Sequence, residues 1–156
     1  MDFRGELVIR QAVAADIPSL IALFADDAVG GHGDTRDPAA LPDYEAAFRR
    51  IVESPNDMLY VAELGGDVVG TFQTTLTTSM TARGATNLTI EAVQTRADLR
   101  GRGIGAAMIG FAIQKAREAD VRLVQLTSNS KREAAHRFYR RLGFSQSHAG
   151  FKMKLT

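Results

Sequence analysis

The sequence predicts a single domain of the α/β (α+β) class, with a mixed, mostly antiparallel central sheet flanked by about four helices. Three observations predict it. The 156 residues, 45% of them hydrophobic and 24% charged, suit one packed core. The apolar runs "MLYVAEL" and "DVVGTFQTTL" are joined by Gly65–Gly66, a hairpin signal that makes the middle of the sheet antiparallel. Finally, "NLTIEAVQT" leads through a glycine-rich turn into an alanine-rich helical pattern, and a further strand and helix follow. No internal repeat and no linker divides residues 1–156.

The elements follow in order. "ELVIRQA" reads as a short strand with Leu7 and Ile9 on one face. "AADIPSLIALFADD" opens a helix with Asp16 as N-cap and Pro18 in the first turn, and its apolar stripe is Ile17, Leu20, Ile21 and Phe24. "AVGGHGDTRDPAALPD" is rich in glycine, aspartate and proline and predicts an exposed loop. "DYEAAFRRIVES" then spaces Tyr44, Ala47, Phe48 and Ile51 as a second helix does. After the hairpin comes a turn at "TARG" and the strand "TNLTIEAVQT". The helix beyond the glycines runs to about Ala119, "VRLVQLTS" is a strand, and "KREAAHRFYRRLG" is a helix closed by Gly143. "FSQSHAGFKMKL" predicts a final bent strand or pair of strands.

Composition excludes several functions. With 19 basic and 18 acidic residues the net charge is +1, which gives no broad basic field and no expectation of a nucleic-acid partner. The absence of cysteine removes disulfides, thiolate nucleophiles and cysteine-bound zinc, and fits a reducing compartment. "MDFRGELVIR" is mixed in charge and lacks the apolar core of about 7–15 residues of a secretory leader. No apolar run reaches the roughly 18 residues that span a bilayer, so no membrane partner and a cytoplasmic protein are expected. His32, His136 and His148 lack metal-ligand spacing, and no metal is expected.

Glycines 101, 103 and 105 let the backbone turn sharply and come close to a ligand, and the helix that follows points free N–H groups at whatever sits there. Such a turn seats an anion. "GRGIGA" formally satisfies the dinucleotide pattern G-x-G-x-x-G/A. Five residues separate Thr95 from Gly101, however, and the 51 residues after Gly105 are too few for the rest of a doubly wound sheet. The residues about twenty positions on, Leu123 to Gln125, lack the expected acid. A nucleotide P-loop fails because no Gly-Lys-Ser/Thr follows.

"RGRGIGA" resembles the Arg/Gln-x-x-Gly-x-Gly/Ala turn of the GNAT superfamily of N-acetyltransferases, as Arg100-x-x-Gly103-x-Gly105. "EAAHRFYRRLGF" is similar to that superfamily's Ala-x-x-Phe-Tyr-x-x-x-Gly-Phe segment, as Ala135, Phe138, Tyr139, Gly143 and Phe144. The order of elements resembles that fold along essentially the whole chain, and the motifs cover residues 88 to 155. The stretch "QLTSNSKREAAHRFYRRLGFSQSHAGFKMKL" is most similar to aminoalkylphosphonate N-acetyltransferases. The half that shapes the acceptor site in this superfamily carries no comparably specific match, so the resemblance supports the reaction and not the acceptor.

The resemblance implies acetyl-CoA as co-substrate and no metal. The turn Arg100, Gly101, Arg102, Gly103, Ile104, Gly105 and Ala106 would hold the pyrophosphate on main-chain N–H groups, helped by the positive end of the helix dipole. Side chains at the three glycines would obstruct that approach. Val93 and Thr95 would offer backbone groups to the pantetheine arm, which can pair with a strand edge. Asn129 would bind the pantetheine or acetyl carbonyl, at a spacing of ten residues from Tyr139 that is longer than the superfamily's usual one and shared with the aminoalkylphosphonate enzymes. Tyr139 matches the superfamily's general acid.

The attacking amine, with pKa about 10, must first lose a proton. Glu91 is the candidate base, directly or through water, and Ile90–Glu91 resembles the Ile-Glu pair of glucosamine-phosphate acetyltransferases. Asp26 and Asp27, with Glu91, are candidates to attract the acceptor's ammonium. Lys131 and Arg132 read as a solvated helix start, with the coenzyme's 3′-phosphate as the alternative contact that the resemblance implies. The expected function is transfer of acetyl to a primary amine of a small molecule in a ternary complex. The alternatives are a protein or peptide acetyltransferase acting on lysine or an N-terminus, and a non-catalytic acyl-CoA-binding regulatory module. Exposed final strands point to a homodimer.

Overall fold

Gly65 and Gly66 adopt left-handed φ values of 58° and 89°, which few other residues tolerate, and the chain reverses there between β2 (Asp57–Leu64) and β3 (Asp67–Thr78). The computed structural model describes residues 6–27 and 32–156. Residues 1–5 of the stretch read against a leader, and residues 28–31 of the glycine-rich loop, lie outside the described residues.

β1 (Leu7–Gln11) pairs antiparallel with β2, β2 with β3, and β3 with β4 (Thr86–Thr95). β5 (Leu123–Leu126) pairs parallel with β4, giving a sheet of order β1-β2-β3-β4-β5. The helices α1 (Ile17–Ala25), α2 (Leu41–Glu53), α3 (Ile104–Glu118) and α4 (Glu133–Arg141) occupy the expected places. The turn expected at "TARG" is tight because Ala82, Arg83 and Gly84 all have positive φ.

Alternation along the strands produces two apolar layers. On one face Ile104, Met108, Ile109, Ala112 and Ala116 of α3 are buried against Phe72, Leu88 and Ile90. Their spacing of three and four keeps them on one helical stripe. Tyr60 stacks on Phe72 at 4.9 Å between ring centroids, and Phe111 meets both rings edge-on. A Cβ on Gly70 would stand 2.9 Å from Met108 Sδ and 3.2 Å from the Gln94 carbonyl oxygen, so a larger residue there would push the Met108 side chain aside. On the other face Ala12, Leu20 and Val61 form a smaller cluster with Phe24 and Phe48.

Three expectations need correction. In α1 the buried residues are Ile17, Leu20 and Leu23, with Ile21 and Phe24 only half-buried, because contact with β3 and β4 rotates the helix relative to the stripe read from spacing. Asp16 occupies the N-cap position but turns its carboxylate backward to accept from Val13 N–H at 2.8 Å, since Arg10 holds it there with two bonds of 2.8 and 2.9 Å. Residues 145–156 form no strand: the alternation is present, but no neighbouring strand of the chain pairs with it.

The hydrogen bond from Arg10 keeps the Asp16 carboxyl below its ordinary 3.8, against the opposing effect of its burial. A carboxylate with a depressed folded value adds stability above its unfolded pKa, and that stability is lost as pH falls through the folded one. Urea unfolding as a function of pH therefore gives a native chain that weakens below about pH 4, with Asp16→Asn flattening that acid limb. Phe72→Ala, which empties the centre of the larger layer, costs about 3–5 kcal/mol in the same measurement. An unchanged acid limb, or a loss under about 1 kcal/mol at Phe72, contradicts the packing described.

Candidate functional site

The site grows from a break in the sheet. β4 has two neighbours along Asn87–Ile90, which pair with Leu123–Leu126 of β5. Beyond Ile90 the pairing with β5 ends, while β4 runs on to Thr95 beside β3. At that point Phe72 of β3 faces two residues of β4, Ala92 and Val93, and Ala92 takes a left-handed φ of 53°. Such a conformation costs an alanine about 1–2 kcal/mol and marks a β-bulge that bends the strand away. The result is a splay, with strand backbone from Glu91 to Thr95 unpaired on the β5 side. Val93 and Thr95 lie on this edge and Glu91 at its start, exposed and on the face opposite buried Ile90.

The glycine turn lies at the same end. A short turn at Ala97–Leu99 buries Leu99, and Arg100 sends its Nε–H to the Thr95 carbonyl at 3.2 Å, tying the turn to the strand edge. Gly101 and Gly103 have φ values of 77° and 88°, and a Cβ on either would meet nothing within 4 Å. Both need glycine for backbone conformation, and their outer side is open. Gly105 differs: its φ is ordinary and a Cβ there would lie 3.4 Å from the ring of Phe138, so it serves the contact between α3 and α4. Gly103 caps α3 without a side-chain bond, and the first helical bond runs from Ala107 N–H to Gly103 at 3.0 Å. The N–H groups of Ile104, Gly105 and Ala106 precede that bond and have no partner within the helix, while buried Ile104 anchors its first turn. Open left-handed glycines leading to unpaired amides fit the pyrophosphate of acetyl-CoA, and the bare strand edge fits its amide-bearing arm.

α4 brings Tyr139 to this end of the sheet. Its ring packs edge-on against Phe138 at 5.1 Å and Phe144 at 5.9 Å. Burial pushes the phenol pKa above its ordinary 10, partly offset by the positive charge of Arg132. Tyr139 therefore stays protonated at neutral pH, and among the described residues no hydrogen bond engages its hydroxyl. Asn129 sits in the turn before α4: its Oδ1 accepts from Lys131 N–H at 2.9 Å and His136 Nε2 lies 2.9 Å from its carbonyl oxygen. His136 thus fixes the turn that carries Asn129.

Asp26 and Asp27 both meet arginines. Asp26 pairs with Arg36 at 2.9 Å, largely in solvent. Asp27 is nearly buried, and both its oxygens accept from Arg132, at 2.8 and 3.1 Å. Gln94 Nε2 donates to the same carboxylate at 2.7 Å. Arg132, expected in solvent, is instead half of a clasp joining α4, the end of α1 and the far part of β4 across the splay. Gln94 and Arg132 were not singled out as partners because they lie 67 and 105 residues from Asp27, and no local pattern signals so distant a contact. An open hollow of about 520 Å³ lies at the opposite end of β4, bordered by Asn56, Thr78, Thr86 and Arg122, and holds none of these residues. Among the described residues no cluster of three or more His, Asp or Glu could hold a metal, and no helix is long and apolar enough to cross a membrane.

Residues 17–144 match the family model described as Acetyltransferase (GNAT) family. The chain is similar to a solved structure described as a transcriptional regulator from Bacillus halodurans, with 37% identity, a TM-score of 0.91, and coverage of 96% of this chain and 99% of that one. It is 44% identical over 57 residues to an aminoalkylphosphonate N-acetyltransferase of Salmonella typhimurium, a match that covers 36% of this chain and spans only 37% of that relative's length. It is 27% identical to an L-methionine sulfoximine/L-methionine sulfone acetyltransferase of Pseudomonas aeruginosa, over 89% of this chain and 80% of that relative.

Asp27→Asn leaves the Arg132 guanidinium without its counter-charge and loosens the clasp. Urea unfolding is expected to lose about 1–3 kcal/mol, and amide exchange around Gln94 to quicken. Unchanged stability and exchange contradict a clasp.

Proposed function

Because the chain belongs to the acetyltransferase (GNAT) family, we propose that it is an acetyl-CoA-dependent N-acetyltransferase acting on a primary amine of a small molecule by direct transfer in a ternary complex. One observation carries this reading: the open left-handed glycines and unpaired amides at the start of α3 stand beside a strand edge that has lost its neighbour. The names of the Salmonella and Pseudomonas relatives, which specify small amines, support a small-molecule acceptor over a peptide. A chain without cysteine is at home in a reducing cytoplasm.

Acetyl-CoA supplies an activated acyl carbonyl. The amides from Gly101 to Ala106 would hold its diphosphate, with Arg100 and Arg102 at the edge. The backbone of Val93 and Thr95 would pair with the pantetheine arm, and Asn129 would steady it from the α4 side. Glu91 accepts the proton that the acceptor ammonium must lose, directly or through water. Tyr139, held neutral by burial, donates to the departing sulfur, whose thiol has a pKa of about 8.5 and gains from a proton donor. Asp26 and Asp27 would lend negative potential near the acceptor, Asp27 mainly by holding the splay in shape.

The name of the Bacillus halodurans neighbour favours a second reading, a regulatory module that binds the coenzyme without turnover. A thiol-release screen with acetyl-CoA across amines, amino sugars, aminophosphonates and peptides separates the two: release with a small amine supports the enzyme, and coenzyme binding without release supports the module. With an active acceptor, Tyr139→Phe lowers kcat by about 10²–10⁴-fold and leaves acetyl-CoA affinity nearly unchanged. An unaltered kcat removes Tyr139 from the mechanism.

A further inference from the structure

The sheet face opposite α3 carries a one-sided set of hydrogen-bonding groups. There Gln73 and Thr75 of β3 stand level with Glu91 and Thr89 of β4, and Gln125 of β5 stands level with Thr89. The smaller apolar layer covers Val61 and Leu59 of β2 on this face and leaves these polar residues partly or fully open beside it. Opposed residues such as Gln73 and Glu91 have Cβ atoms about 5 Å apart, and Thr89 lies about 7 Å from Glu91 along the strand. One ring-sized ligand therefore reaches all three, next to the candidate base.

Donors on this floor are spent on neighbours. Thr75 sends its hydroxyl to Asp57 Oδ1 at 2.6 Å. Hydrogen bonds from Thr75, Ser54 and Gln73 hold the Asp57 carboxyl below its ordinary 3.8, so it is ionised at neutral pH and draws a Gln73 N–H to itself. Gln125 Nε2 donates to Thr89 Oγ1 at 3.1 Å. Each glutamine thus commits a donor and keeps its Oε1 for a ligand. Glu91 adds a carboxylate that has no hydrogen bond or ion pair among the described residues. Asn87, two residues before Thr89 on the same face, has a buried Oδ1 that no donor reaches. Lone pairs are in surplus.

No cation offsets that surplus. β3, β4 and β5 contain neither lysine nor arginine. The two arginines that reach the end of α1 are engaged, Arg132 by Asp27 and Arg36 by Asp26, each at 2.8–2.9 Å. An ammonium or a hydroxyl brings the donors such a floor lacks. A phosphate, phosphonate or carboxylate brings lone pairs and negative charge, and would lie unpaired against Glu91.

We propose that the acceptor is a hydroxyl-bearing amine, an amino sugar or amino alcohol with no anionic group, whose ammonium meets Glu91 and whose hydroxyls donate to Gln73 Oε1 and Gln125 Oε1. This rests on the transferase reading above and narrows it. Gln73 and Gln125 are then specificity residues: they choose among amines by what stands beside the reacting nitrogen, and they take no part in the chemistry.

Thiol release from acetyl-CoA is measured with two matched pairs of amines, glucosamine against glucosamine 6-phosphate and ethanolamine against 2-aminoethylphosphonate. The native protein is expected to show kcat/KM at least about tenfold higher for the hydroxyl-bearing member of a pair. Gln73→Arg supplies the missing cation and should shift that ratio at least about tenfold toward the anionic member, with the KM for acetyl-CoA unchanged. Gln125→Lys, at an exposed position that folding tolerates, makes the same shift by a second route. Equal or greater kcat/KM for the phosphate or phosphonate in the native protein, or a ratio that neither substitution moves, overturns this inference and leaves the transferase reading standing. Release with none of the four amines, nor with any other amine, overturns both.

Discussion

The structure turns on one strand that has two neighbours along half its length and one along the rest. Up to Ile90, β4 is an interior strand between β3 and β5. From Glu91 onward it keeps β3 alone, and the left-handed backbone at Ala92 bends it off its former course. Backbone amides and carbonyls that leave a sheet need other partners, and a peptide-like ligand is among the few that can satisfy a whole row of them. The proposed coenzyme site is arranged around this departure, with Glu91 at its start, Val93 and Thr95 along it and the glycine turn just past its end.

Packing holds the departure in place. Met108 fits over Gly70 where a larger residue would collide, and Ile104 locks the first turn of α3 into the same layer. The amides at that helix start are therefore fixed in direction before any ligand arrives, which lowers the ordering cost of binding. On the other side Asp27 draws Gln94 and Arg132 together across the gap. A carboxylate this close to a guanidinium in a nearly buried place contributes shape more than net stability.

Much of this was legible in the residues. β4 begins and ends where alternation and flanking turns place it, at Thr86 and Thr95, and α3 starts at the residue after Gly103 because glycine supplies the left-handed cap. The Gly65–Gly66 hairpin is equally local. What escaped is nonlocal or has no residue signature. Alanine at 92 gives no hint of positive φ, since alanine rarely adopts it. The Asp27 clasp joins segments far apart in the sequence, and the face of α1 is set by the strands beneath it. The tail shows the converse: "FKMKL" has the pattern of a strand, yet pattern alone supplies no neighbour.

Calorimetric titration with acetyl-CoA probes most directly the claim that bare main-chain amides at the start of α3 grip the coenzyme's diphosphate. Native chain and Gly103→Val are each titrated with acetyl-CoA and with acetylated pantetheine, which lacks the diphosphate. The account predicts that the substitution weakens acetyl-CoA at least about tenfold and leaves the truncated ligand unaffected. Equal acetyl-CoA affinity in the two proteins, or a native chain that takes up no acetyl-CoA at all, contradicts it.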